Sequence, residues 1–134
     1  MIRGLAALLA LLVASASSDA SMSDRVVPGT VTDSRISRCG VVVTLGSFAE
    51  VRPFIEASSS VVGTVRLTLI KRSASGTSHT SQSRGFSGNR FDGSRTVVDI
   101  PADLSVRMEA LDDTGLLLCR LEADLTLRRR PASA

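Results

Sequence analysis

The sequence predicts an all-β fold, and three observations carry that prediction. Short apolar runs alternate at period two, turn-forming residues punctuate them, and no stretch past residue 20 keeps a helical apolar period. Seven such runs in about 100 residues are the pattern of a seven-stranded antiparallel β-sandwich of immunoglobulin-like architecture.

The first run covers residues 39–45, with Cys39, Val41, Val43 and Leu45 in one phase and Gly46-Ser47 ending it. A second spans 48–57 and is closed by Ser58-Ser59-Ser60. In the third, Val65, Leu67 and Leu69 alternate with Arg66, Thr68 and Ile70. Ser75-Gly76 then turns the chain into a fourth run at 77–86, almost wholly Ser, Thr and other polar residues. That composition suits an exposed edge strand. Gly88-Asn89 and Asp92-Gly93 mark a loop, and a fifth run at 96–100 is halted by Pro101. Leu104, Val106, Met108 and Ala110 define the sixth. A helix over 104–111 fits less well, because Ser105, Arg107 and Glu109 fall strictly between the apolar positions. Asp112-Asp113-Thr114-Gly115 makes a hairpin turn, and Leu117, Cys119, Leu121, Ala123 and Leu125 share one face of the seventh run.

Outside this frame, residues 1–20 have the form of an export signal. Arg3 precedes a run of only Leu, Ala and Val at 5–13, and Ala14-Ser15-Ala16 supplies a small-x-small cleavage site, with Ala20 as a second. The apolar run falls short of the roughly 20 residues a spanning helix needs, so the expectation is a soluble periplasmic or secreted protein after cleavage. Residues 21–35 read as a flexible lead-in, 36–127 as the β domain and 128–134 as a frayed basic tail.

Cys39 and Cys119 are the two cysteines, and each is in register with inward apolar neighbours. An exported chain oxidises such a pair. A bridge between them closes a loop of about 80 residues and stabilises the fold by roughly 4 kcal/mol on the chain-entropy model. A thiol-redox enzyme would carry Cys-x-x-Cys, which is absent.

Other chemistries find little support. His79 is the sole histidine, so a histidine-rich metal centre cannot form, and no Gly-x-Ser-x-Gly elbow accompanies it. With four phenylalanines, no tryptophan or tyrosine and a net charge of +3, there is neither a stacking platform nor a nucleic-acid composition. The expectation is a monomeric non-enzyme without cofactor or metal.

The informative residues are outward-facing. Arg66 and Arg72 lie opposite in phase to Val65, Leu67 and Leu69; Arg107 and Arg120 do the same on the sixth and seventh runs. In an immunoglobulin-like sandwich these three strands are neighbours, so four arginines share one outer face with Glu109 and Glu122. Such a face is either an ordinary solvated surface with cross-strand pairs or an electrostatic docking surface for an acidic or polar extended chain. The polar edge at 77–86 offers a second contact, by strand addition.

The chain from Cys39 to about Leu125 resembles the curli-assembly chaperones of the CsgH type, related to the CsgC-like periplasmic inhibitors of amyloid formation. The resemblance lies in Cys39-Gly40, in Gly63-Thr64-Val65-Arg66-Leu67-Thr68-Leu69 and in Ser75-Gly76-Thr77-Ser78. Gln82, Gly85-Phe86 and the Asp113-Thr114-Gly115 turn before Cys119 extend it. It implies a small immunoglobulin-like periplasmic chaperone that keeps a curli-type amyloid subunit from nucleating, with Arg66, Arg107 and Arg120 as principal contacts. Val41 stands where the CsgC branch has the second cysteine of Cys-x-Cys, and Arg84 and His79 depart from a plainer polar edge. An exported immunoglobulin-like structural or adhesion module is the alternative reading.

Overall fold

The computed structural model describes residues 23–128. The export signal and the tail beyond Arg128 lie outside those residues. Eight strands run in chain order: β1 (Ser23–Pro28), β2 (Thr30–Val31), β3 (Ile36–Leu45), β4 (Ala49–Ser73), β5 (Gly76–Asp92), β6 (Thr96–Val98), β7 (Ala102–Asp112) and β8 (Leu117–Leu127). All pairings are antiparallel, and no helix occurs among the described residues.

Three expectations are corrected, one of them the loop at Gly88-Asn89, which lies inside β5. The second and third apolar runs are one strand, β4, which passes through Ser58-Ser59-Ser60 without a turn. Its pairing with β5 shifts register between Glu56 and Val61, so the exposed serines mark a bend in the ladder, where Ser58 N donates instead to Arg35 O at 2.8 Å. The lead-in is also structured. Residues 23–28 form β1 against β3, and Thr30–Val31 pair with Arg120 and Cys119 of β8. β1 is an edge element with only Val27 half-buried, which leaves no alternating signal in the sequence.

The sheet order β1-β3-β4-β7-β8-β2 starts and ends on consecutive segments of chain, so the sheet is nearly closed into a barrel. Its first wall contains β1, β3, residues 49–57 of β4, β6 and the end of β5. Its second contains β2, β8, β7, residues 61–73 of β4 and the start of β5. Val41, Val51 and Ile55 from the first wall join Leu67, Met108 and Leu118 from the second in one buried cluster. Burying each such side chain contributes about 1.5–3 kcal/mol.

The walls are tied on one side by a disulfide between Cys39 of β3 and Cys119 of β8, whose Cα atoms are 6.5 Å apart. Both residues are buried, at 3% and 0% exposure, as their strand registers predicted. Gly29 carries the chain over this bridge from one wall to the other and donates its N–H to Cys39 O at 2.9 Å. A Cβ on Gly29 would lie 3.0 Å from Cys39 Sγ and 3.0 Å from Arg120 O. Gly40, at φ 150°, lets β1 approach, since a Cβ there would collide with Val27 O.

Candidate binding surface

The outer face of the second wall is set by three registers. Across β5, β4, β7 and β8, Ser83, Arg66, Glu109 and Arg120 form one row. The next row is Ser81, Thr68, Arg107 and Glu122; then come His79, Ile70, Ser105 and Asp124; then Thr77, Arg72, Asp103 and Thr126. The expected adjacency of the three arginine-bearing strands is therefore present. Inward neighbours Leu67, Met108 and Leu121 are packed in the core, which fixes the arginines outward by strand alternation.

Arg66, Arg107 and Arg120 come together around Glu109. Arg72 stands three residue pairs further along β4, roughly 20 Å from Arg66 at strand rise. All four are exposed. Arg107 Nε approaches Glu122 Oε2 at 3.8 Å, with both side chains more than half exposed. Arg66, Arg72 and Arg120 form no ion pair among the described residues.

Between Arg107 and Arg72 lies a shallow groove of about 510 Å³ floored by Ile70 and Ser105 and bordered by His79 and Asp124. Ser105 Oγ donates to Asp124 Oδ1 at 2.9 Å. His79 is exposed on β5 opposite Ile70 and makes no side-chain hydrogen bond among the described residues. The three residues thus share a groove without the serine-to-histidine contact that activates a nucleophile. Among the described residues, no group of three or more His, Cys, Asp or Glu is placed to hold a metal ion.

The outer face of the first wall is built differently. Arg52 Nη1 meets Asp92 Oδ1 at 2.9 Å, and Arg90 Nε meets Asp92 Oδ2 at 3.2 Å. Arg38 pairs with Glu56 at 3.6 Å while its guanidinium lies 5.3 Å from the centre of the Phe54 ring. Arg95 approaches Glu50 at 3.9 Å.

A further polar centre had no sequence signal. Arg35 Nε and Nη2 donate to Asp33 at 2.9 and 3.1 Å, and Nη2 also donates to Asp112 Oδ2 at 2.9 Å. Asp112 Oδ1 accepts from Thr114 N, Thr114 Oγ1 and Leu116 N, which closes the β7–β8 hairpin. The Thr114 hydroxyl first, then the Arg35 guanidinium, hold the Asp112 carboxyl far below the usual carboxylate range. The side-chain hydrogen bond from Arg35 lowers Asp33 as well. These contacts fasten the turn before β3 to a hairpin 77 positions away. The acidic turn read from Asp112 to Gly115 is present, with Gly115 N donating to Asp112 O at 3.0 Å.

No protein-family model matches the chain, and no curated protein matches it either. Among solved structures, the chain is similar to the solution structure of R. palustris CsgH. The two align with a TM-score of 0.48 and 17% identity, over 75% of this chain and 91% of that one.

Proposed function

We propose that this protein is a non-enzymatic chaperone of the periplasm, with an immunoglobulin-like sandwich as its scaffold, that binds curli-type amyloid subunits and delays fibre nucleation. The observation that carries the reading is the set of exposed arginines on the second wall, three of them without an acidic partner among the described residues. A guanidinium held in solvent with no carboxylate is ready for bidentate contact with an incoming one. Amyloid-forming subunits are polar strand-formers whose stacked chains repeat every backbone hydrogen bond along the fibre. A charge-guided binder can intercept them early without a deep pocket, since such charge raises encounter rate and specificity more than affinity. The buried disulfide is compatible with an exported, oxidising setting.

The test is fibre growth of a curli-type subunit followed by dye fluorescence, with and without the purified protein. A longer lag at comparable concentrations is the expected result. An unchanged lag sinks the reading.

A further inference from the structure

We propose that the outer edge of β5 over residues 77–86 is a strand-capture site, which takes an extended, acid-bearing polar segment of a partner chain by backbone pairing. The proposal rests on the client-binding reading and adds the mode of contact to it.

The 17-residue β5 pairs along its length with β4 alone, so its other edge has no strand among the described residues. Backbone donors and acceptors along such an edge face water until another strand meets them. Natural edges are usually blunted by proline, by inward charges or by shortness. Residues 76–83 carry no proline and no Lys, Arg, Asp or Glu, and every residue of 77–86 is exposed or half-buried. The opposite free edge, β1, has six residues and includes Asp24, Arg25 and Pro28.

Charge selects the occupant. Residues 57–91 contain no aspartate or glutamate, and of their cations Arg66, Arg72 and Arg84 form no ion pair among the described residues, whereas Lys71 lies near Asp99 and Arg90 is bound to Asp92. A strand added beside β5 would lie roughly 9.6 Å from β4, two strand spacings away. The β5 residues opposite Arg66 and Arg72 are Ser83 and Thr77. Small side chains there leave the long guanidinium arms free to lean across β5 towards carboxylates on the added strand. Arg84 is itself exposed on β5 and serves the other face of that strand. A second copy of this chain would bring the same cations into opposition, which disfavours pairing of β5 with itself.

The test is amide hydrogen exchange on the oxidised protein, with a synthetic peptide alternating aspartate and glutamine and with its lysine-for-aspartate counterpart. Saturating acidic peptide should slow alternate amides within 77–86 by about tenfold or more, as a newly formed ladder does. The Arg66→Glu/Arg84→Glu variant should bind that peptide about tenfold more weakly, the effect of losing about 1.4 kcal/mol. Unchanged exchange in β5, equal protection by both peptides, or protection that grows with the protein's own concentration overturns the proposal. If fibre lag is still prolonged and still needs the arginines in that event, strand capture fails while the chaperone reading stands.

Discussion

The two walls both display arginine on their outer faces, but only one of them satisfies it. On the first wall Arg38, Arg52, Arg90 and Arg95 each have a carboxylate within 4 Å, and Arg38 also covers Phe54. On the second, Arg66, Arg72 and Arg120 have none among the described residues, and Arg107 alone is paired, 3.8 Å from Glu122. Exposed ion pairs stabilise a fold by about 0–1 kcal/mol, so the pairing on the first wall is not what holds the molecule together. Its consequence is availability: a paired arginine is already engaged, whereas an unpaired one can accept a partner from outside. Composition alone would treat the faces alike, and geometry separates them.

The largest lever acts on both walls at once. Replacing Cys39 and Cys119 by alanine should lower stability by about 4 kcal/mol, given the separation of 80 residues, and urea unfolding measures it. Binding by the second wall should then fail only where the fold itself is lost.

Charge reversal separates the walls. The Arg66→Glu/Arg107→Glu/Arg120→Glu variant should abolish the prolonged lag in fibre growth. The matching Arg38→Glu/Arg52→Glu/Arg90→Glu variant should keep the lag within about twofold, because its cations are not offered to a partner. Single members of the first set are exposed and should each shift stability by no more than about 0.5 kcal/mol. Equal loss of activity in both variants would erase the distinction between the faces.

Salt gives a gentler version of the same test. At about 1 M the Debye length falls to about 3 Å, and the delay should shrink towards that of the reversed variant while the folded state persists. A delay insensitive to salt would move the contact away from the arginines.

The smallest effect concerns Asp33 and Asp112, which hold the end of the barrel and take no part in either face. Both carboxyls are depressed in the folded state. Their contribution is therefore present above the unfolded value of about 3.9 and is lost as pH falls through the folded values. Thermal melts should show stability declining below about pH 4, with a shallower decline in Asp112→Asn. An identical slope in that variant would remove the centre from the pH response.

Much of this contrast was legible in the sequence, and the illegible part has a physical reason. The inward phase of Cys39 and Cys119 and the outward phase of Arg66, Arg107 and Arg120 follow from strand alternation, which survives any error in strand ends. The unity of β4 was hidden because Ser58-Ser59-Ser60 suits a turn and a bent strand equally. β1 was hidden because an edge strand with one half-buried residue leaves no periodic trace. Whether an arginine is paired depends on which carboxylates the registers bring beside it. Arg52 meets Asp92 across 40 positions and Arg35 meets Asp112 across 77. No local pattern encodes such distances.

The continuity of β4 also governs how the molecule comes apart. One strand supplies residues 49–57 to the first wall and 61–73 to the second, and it pairs with β3, β5, β6 and β7. Neither wall can release it without stripping the other of a member. Unfolding is therefore expected as a single cooperative transition, in which probes on the two walls report the same midpoint. A protein so constructed presents its arginine face and its β5 edge either complete or not at all, because both hang on the same strand.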